Sequence, residues 1–195
     1  MSRFIESICC IDGKIQNLAL HQSRVDGTFK HFYSQSPIQL GEIIKNVPII
    51  GKHKCRIVYD ASNVEIEFQS YPKRHINTLK VVEGSHIDYD FKYEDRTELR
   101  SLFEQREDCD DILIVKNGLF NDSYFANLAL FDGKKWFTPK SPLLKGVRRQ
   151  ALLNEERISE HDISVDDINL YSKVSLINAM LDLGEVIVSI DYVTR

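Results

Sequence analysis

Ile112-Leu113-Ile114-Val115-Lys116-Asn117-Gly118 is an unbroken apolar run that stops at a turn signal. Four branched residues without a polar break predict a core strand, and Asn-Gly behind a lysine predicts a reversal. Downstream, Leu128 to Phe131, Asp132-Gly133 and Trp136-Phe137-Thr138 read as a hairpin. Leu143-Leu144-Lys145-Gly146 then leads into a helix predicted from Val147 to Glu155. Upstream, Leu99, Leu102 and Phe103 fit the buried face of a helix that Glu107-Asp108 ends.

The N-terminal half follows the same grammar. Phe4 to Ile11 and Lys14 to Leu18 flank Asp12-Gly13, which predicts two strands and a tight turn. From His21 to Tyr33 the spacing of Val25, Phe29 and Phe32 becomes helical, and Ile38 to Asn46 is a second short candidate closed by Pro48 and Gly51. Cys55 to Asp60 reads as a strand, and Val64-Glu65-Ile66-Glu67-Phe68 alternates as a half-buried antiparallel one does. Thr78 to Val82 adds a strand, Asp167 to Tyr171 a turn of helix, and Glu185 to Val193 a terminal strand. The predicted class is α+β, with two lobes of mixed, mostly antiparallel sheet and packed helices. The lobe boundary is placed near Gly84, giving a small lobe over residues 1–84 and a larger one over 85–195.

Composition sets the outer limits. A chain of 195 residues with 43% hydrophobic and 28% charged residues is an ordinary folded protein. Its formal net charge of −4 gives no electrostatic reason to expect nucleic acid. The longest apolar stretches fall far short of the ~20 residues that cross a bilayer. An acidic residue as early as Glu6 speaks against a secretion signal, so a cytoplasmic location is expected. Cys9, Cys10, Cys55 and Cys109 form no CxxC pair and are expected as reduced thiols, with no structural metal. If Cys9 and Cys10 lie in a strand, one is expected inside and the other outside.

No generic catalytic motif stands in the chain: no GxGxxG, P-loop, GxSxG or HExxH. The six histidines are scattered. Gly146 before a predicted helix offers backbone N–H groups at a positive dipole end, which suits a phosphate, although a plain turn has the same sequence.

One family pattern does emerge. Asp111 through Asn127, followed by Trp136-Phe137-Thr138-Pro139 and Leu143-Leu144-Lys145-Gly146-Val147-Arg148-Arg149, resembles the fold-type IV pyridoxal-phosphate enzymes. These are the class-IV aminotransferases and 4-amino-4-deoxychorismate lyases, with the architecture of D-amino acid aminotransferase. Phe4-Ile5-Glu6, Asp12-Gly13 and His21-Gln22-Ser23-Arg24 look like the family's opening hairpin and His-x-x-Arg helix start. The resemblance spans nearly the whole chain, which is shorter than typical members. It implies a pyridoxal 5'-phosphate site in a cleft between the lobes.

Carried over by position, the resemblance makes Lys92 the lysine that joins the cofactor's aldehyde. On the residues alone Lys92 also reads as a surface lysine in a charged run, and Lys80 and Lys116 are the competing lysines. Asp122 falls where the family carries a glutamate that keeps the cofactor's ring nitrogen protonated; Asp is one methylene shorter and also suits a turn. Arg24 and the backbone of Val147 and Arg148 are expected at the phosphate, with Arg148 standing where the family usually has Thr. Ile177 and Asn178, in Ser175 to Met180, resemble a late phosphate-binding loop, although a helix with Leu176, Ala179 and Met180 inside also fits. Arg56 and Tyr89 are candidate clamps for a substrate carboxylate.

The resemblance leaves three readings of the reaction. A lyase would release pyruvate and leave 4-aminobenzoate. An aminotransferase would act on branched-chain or D-amino acids and require a keto acid. A non-catalytic relative would only bind a ligand. The wording of Lys116-Asn117-Gly118, Asp122-Ser123-Tyr124 and Ile177-Asn178-Ala179-Met180 favours the lyase. A homodimer acting on a small amino-acid-like substrate is expected, without nucleic acid or membrane partners.

Overall fold

The computed structural model describes residues 2–72 and 74–195. The chain forms two compact units, Met1–Lys73 with Phe91–Asp95, and Arg74–Asp90 with Arg96–Arg195.

The first unit is a four-stranded antiparallel sheet with a helix on one face. Its strands are β1 (Phe4–Ile11), β2 (Lys14–Ile15), β3 (Lys52–Tyr59) and β4 (Val64–Ser70), in the order β2-β1-β3-β4. The reversal between β1 and β2 uses Asp12 and Gly13, both at positive φ (46° and 79°), as a tight hairpin demands. Helix α1 (Leu18–Phe32) buries His21, Val25, Thr28 and Phe29, a spacing that lines one helix face. That face shares a core with Phe4, Ile8, Cys10, Cys55, Ile57 and Tyr59. A short helix α2 (Leu40–Ile43) contributes the fully buried Leu40. Cys9 and Cys10 do point to opposite faces of β1, yet both are buried, at 4% and 0% exposure. Alternation fixes direction only, and both faces of the strand are covered here.

The second unit is built on a mixed nine-stranded sheet. Parallel strands β5 (Leu79–Glu83) and β6 (Asp111–Lys116) flank helix α3 (Thr97–Phe103) in sequence. From β6 the chain runs antiparallel through β7 (Leu119–Ser123), β8 (Asn127–Phe131) and β9 (Trp136–Pro139). Helix α4 (Val147–Asn154) follows, then β10 (Ser159–His161), which lies parallel to β9. Strand β11 (Lys173–Ile177) pairs with both β8 and β12 (Ile187–Ser189). The terminal segment is not the single predicted strand. It breaks at Ile190–Tyr192, where Ser189 Oγ accepts from Asp191 N, and the last piece, β13 (Val193–Thr194), pairs with β5 instead. Ser175 to Met180 is the end of β11 followed by a turn, not a helix.

The apolar run at the centre of the sequence behaves as its composition requires: Ile112, Leu113 and Ile114 are fully buried in β6. Among the described residues no helix is long and apolar enough to cross a membrane.

Candidate active site

In the first unit, period two along β1 places Glu6 on the same face as Phe4 and Ile8, against α1, and it is fully buried there. A carboxylate in that position must be paired. Arg24, one turn along α1 from His21, supplies two parallel bonds: Nε donates to Oε1 at 2.7 Å and Nη2 donates to Oε2 at 2.6 Å. His21 Nδ1 meets Oε2 at 2.5 Å. Burial pushes the Glu6 carboxyl upward, but Arg24 and the hydrogen bonds from His21 and Arg24 outweigh it and hold it at about 2. Glu6 is therefore an acceptor only, and the proton it shares with His21 belongs to Nδ1. Burial holds the His21 imidazole below its ordinary value despite the carboxylate, and the charge of Lys92 acts on it in the same direction.

Lys92 belongs to this unit. Its carbonyl accepts from Ile5 N at 2.9 Å, Glu94 N donates to Arg3 O at 2.9 Å, and Tyr93 bridges Phe4. Phe91 and Tyr93 join the ring cluster around Phe4, which anchors the lysine on both sides. The rival lysines have structural partners: Lys80 Nζ lies 2.7 Å from Glu107, and Lys116 Nζ donates to Ile87 O at 2.6 Å. Arg56, on β3, donates to Glu94 at 3.3 Å and lies 3.8 Å from Glu67.

In the second unit, Asp122 and Asn127 face each other across the β7–β8 hairpin. Ser123 Oγ accepts from Ala126 N and so closes the turn between them. Asn127 Nδ2 donates to Asp122 Oδ1 at 2.7 Å and to Leu144 O at 2.8 Å, while Leu144 N donates to Asp122 Oδ2 at 2.9 Å. Burial raises the Asp122 carboxyl to about 7 in spite of those donors. The same asparagine lies opposite Ile177 in β11, and its Oδ1 occupies the space that a side chain on residue 146 would need. Asn127 thus joins β7 and the approach to α4 through its side-chain amide and β11 through its backbone.

Gly146 precedes α4, and no side chain caps the helix, so the first-turn N–H groups of Val147 and Arg148 are uncapped by side chains. The Arg148 guanidinium is turned away to Asp182 and Glu155, at 2.7 and 3.0 Å. Its neighbour Arg149 is buried and donates to Pro139 O and Glu160. Ile177 is fully buried at the end of β11. Asn178 turns the chain: its N–H donates to Leu181 O, its Oδ1 accepts from Met180 N, and its Nδ2 donates to Phe125 O. Tyr89 is nearly buried, at 9% exposure.

Three of these residues carried no assigned role in the sequence reading: Glu6, His21 and Asn127. Glu6 had a usable signal, a charge at an inward position of an apolar strand. Asn127 closes the segment that resembles the family, but its pairing with Leu144 depends on a contact that only the fold supplies.

Taken one by one, these residues have chemistry that a part of pyridoxal phosphate calls for. A phosphate calls for a guanidinium or for helix-terminal N–H groups; the first unit has the one in Arg24, and the second has the other at the start of α4. A pyridine nitrogen that must stay protonated calls for a buried carboxylate, and Asp122, pushed up by burial, gains most from a cationic partner.

Comparison with known proteins agrees. A family model described as amino-transferase class IV matches residues 95–187, a span holding Asp122, Asn127, Gly146 and Asn178. An uncharacterized protein of Haemophilus influenzae is 36% identical over 185 residues, covering 92% of this chain and 98% of that protein. The crystal structure of a proposed 4-amino-4-deoxychorismate lyase from Haemophilus somnus is 32% identical, covers 94% of this chain and 98% of its own, and superposes with a TM-score of 0.88. A hypothetical aminotransferase of Mycobacterium tuberculosis in its pyridoxal-phosphate-bound form shares the fold, with a TM-score of 0.79 at 13% identity over 98% of this chain and 81% of its own. With a relative matched at this identity along almost its whole length, the chain belongs to the class IV aminotransferase family of fold-type IV, pyridoxal-phosphate-dependent enzymes.

Proposed function

We propose that this protein is a 4-amino-4-deoxychorismate lyase, releasing pyruvate and leaving 4-aminobenzoate. The observation that carries the reading is the 32% identity to the Haemophilus somnus protein over 98% of that chain. The two chains are matched almost end to end, so the short length of this protein is shared with that relative.

Pyridoxal phosphate, when bound, supplies an aldehyde for an amine and a protonated ring that draws electrons from the substrate carbon. Lys92 Nζ would be the amine that holds the cofactor's aldehyde and the base that takes the proton from the substrate carbon bearing the amine. It would return that proton to the three-carbon fragment as its bond to the substrate ring breaks and pyruvate leaves, and would retake the aldehyde as 4-aminobenzoate departs. Asp122 would hold positive charge at the ring nitrogen. For the phosphate the candidates are Arg24, the first-turn N–H groups of Val147 and Arg148, and the Ile177–Asn178 segment. Arg56 and Tyr89 are the candidates for the substrate carboxylates. The working form is a cytoplasmic homodimer, which light scattering would report as twice the 22.6 kDa chain mass.

The test is direct. Purified protein mixed with pyridoxal phosphate is expected to develop a visible absorbance band that Lys92→Ala abolishes. Given 4-amino-4-deoxychorismate and no keto acid, it is expected to form pyruvate. Turnover that begins only when a keto acid is added assigns the chain to transamination, and an unchanged spectrum in Lys92→Ala removes Lys92 from its role.

A further inference from the structure

Among the described residues of the first unit the Glu6 carboxylate is the most completely enclosed charge, and the chemistry proposed above does not use it. It has 0% exposure, and each oxygen is engaged: Oε1 by Arg24 Nε, and Oε2 by both Arg24 Nη2 and His21 Nδ1. Packing alone does not call for an acid here. Its neighbours on the strand face, Phe4 and Ile8, are apolar, and apolar residues of similar volume that replace both partners of a buried ion pair together are often tolerated without loss of stability.

The geometry of the pair is informative. Arg24 is held along one edge of its guanidinium by two parallel bonds, which fixes the plane of the group as well as its position. An arginine side chain is otherwise rich in rotamers, and that freedom is lost when it binds an anion. A carboxylate that orders the guanidinium in advance removes this cost from binding.

We propose that Glu6 is a positioning residue for phosphate recognition: it locks the Arg24 guanidinium in the orientation that serves an anion and holds His21 beside it with the Nδ1 proton turned inward. The inference rests on the assignment of Arg24 to the cofactor phosphate. Glu6 also cancels part of the Arg24 charge, which acts in the opposite direction, so the sign of the effect decides the matter.

The experiment compares two ligands that differ only in the phosphate. Cofactor-free wild type and Glu6→Gln are titrated with pyridoxal phosphate and with pyridoxal, following the absorbance band. Glu6→Gln is expected to raise the Kd for pyridoxal phosphate by about tenfold, the scale of restoring freedom to one long side chain. Its Kd for pyridoxal is expected to change less than about twofold, as Arg24 has no phosphate to meet there. If both constants rise together, Glu6 serves packing only. Unchanged or tighter phosphate-dependent binding likewise overturns the proposal. Should Glu6→Gln fail to fold, Glu6→Asp, which keeps the charge and withdraws it by one methylene, is read in the same way. A wild type that takes up neither compound overturns the function proposed above, and the role of Glu6 with it. A wild type that binds while the variant is indifferent overturns the role of Glu6 alone.

Discussion

Asn127 is the reason residue 146 is glycine. The Gly146 backbone, at φ −68° and ψ 142°, is one that any residue adopts. What excludes a side chain is Asn127 Oδ1, which sits where a Cβ would stand. Gly146→Ala is therefore expected to displace Asn127 and break its bonds to Asp122 and Leu144. The cost is about 1–3 kcal/mol, the usual range for overpacking, measured as a shift in urea unfolding. On the role proposed for Asp122, cofactor uptake should fall with it, because that carboxyl loses its orientation.

Asp122 makes the cofactor-free protein sensitive to pH. Its carboxyl is pushed up by burial to about 7 when folded, against 3.8 for an ordinary aspartate. Between those values the folded chain retains a proton that the unfolded chain has lost, so stability falls as pH rises through the window. In Asp122→Asn this contribution is absent, and the urea midpoint should vary less between pH 4.5 and 7, on the order of the linkage slope for one proton.

A second buried acid adds to the same trend. Asp111 has 0% exposure; its Oδ1 accepts from Ile112 N at 2.8 Å, and its Oδ2 makes no close hydrogen bond among the described residues. Burial raises it to about 6, so its charged form is the costly one above that pH. Asp111→Asn is expected to gain stability relative to wild type as pH rises from about 4 to 7, by on the order of 2–3 kcal/mol at the upper end. Chemical unfolding at several pH values would show it. No such gain would mean that the orphan oxygen finds a donor in solution.

Arg149 ties α4 to the β9–β10 pair. It is 3% exposed and donates to Thr138 Oγ1, Pro139 O and Glu160. Arg149→Met keeps the bulk and removes every donor, which should cost about 2–3 kcal/mol, since one of the partners is charged. Hydrogen exchange would locate the loss at residues 137–139 and 159–161, the paired segments.

Much of this fold was legible because the chain alternates cleanly. Val64 to Phe68 announced β4, Asp12-Gly13 announced its hairpin, and Ile112 to Val115 announced the central strand. The terminal strand was over-extended because Glu185 to Val193 carries apolar residues throughout, while the break depends on one hydroxyl, Ser189, accepting from Asp191 N. For the site, the residues themselves pointed only to the Gly146 turn, and the family resemblance supplied Arg24, Lys92 and Asp122 as candidates. The groups that hold Arg24 and Asp122 were less visible. Glu6 is 18 residues from Arg24 in sequence, and Asn127 is 17 from Leu144. Such pairings are set by sheet register, which a linear pattern does not contain.

The pairing of residues 3–5 with 92–94 reaches further than local stability. Strand β1 carries Glu6, and through it the guanidinium of Arg24; its first residues also set the height of Lys92. Lys92 and Arg24 are thus gauged from a single backbone ruler. A tag or deletion upstream of Phe4 that loosens Arg3 would shift the lysine against the arginine without touching either residue, so on the roles proposed for the two, a fusion at that end acts on the site itself.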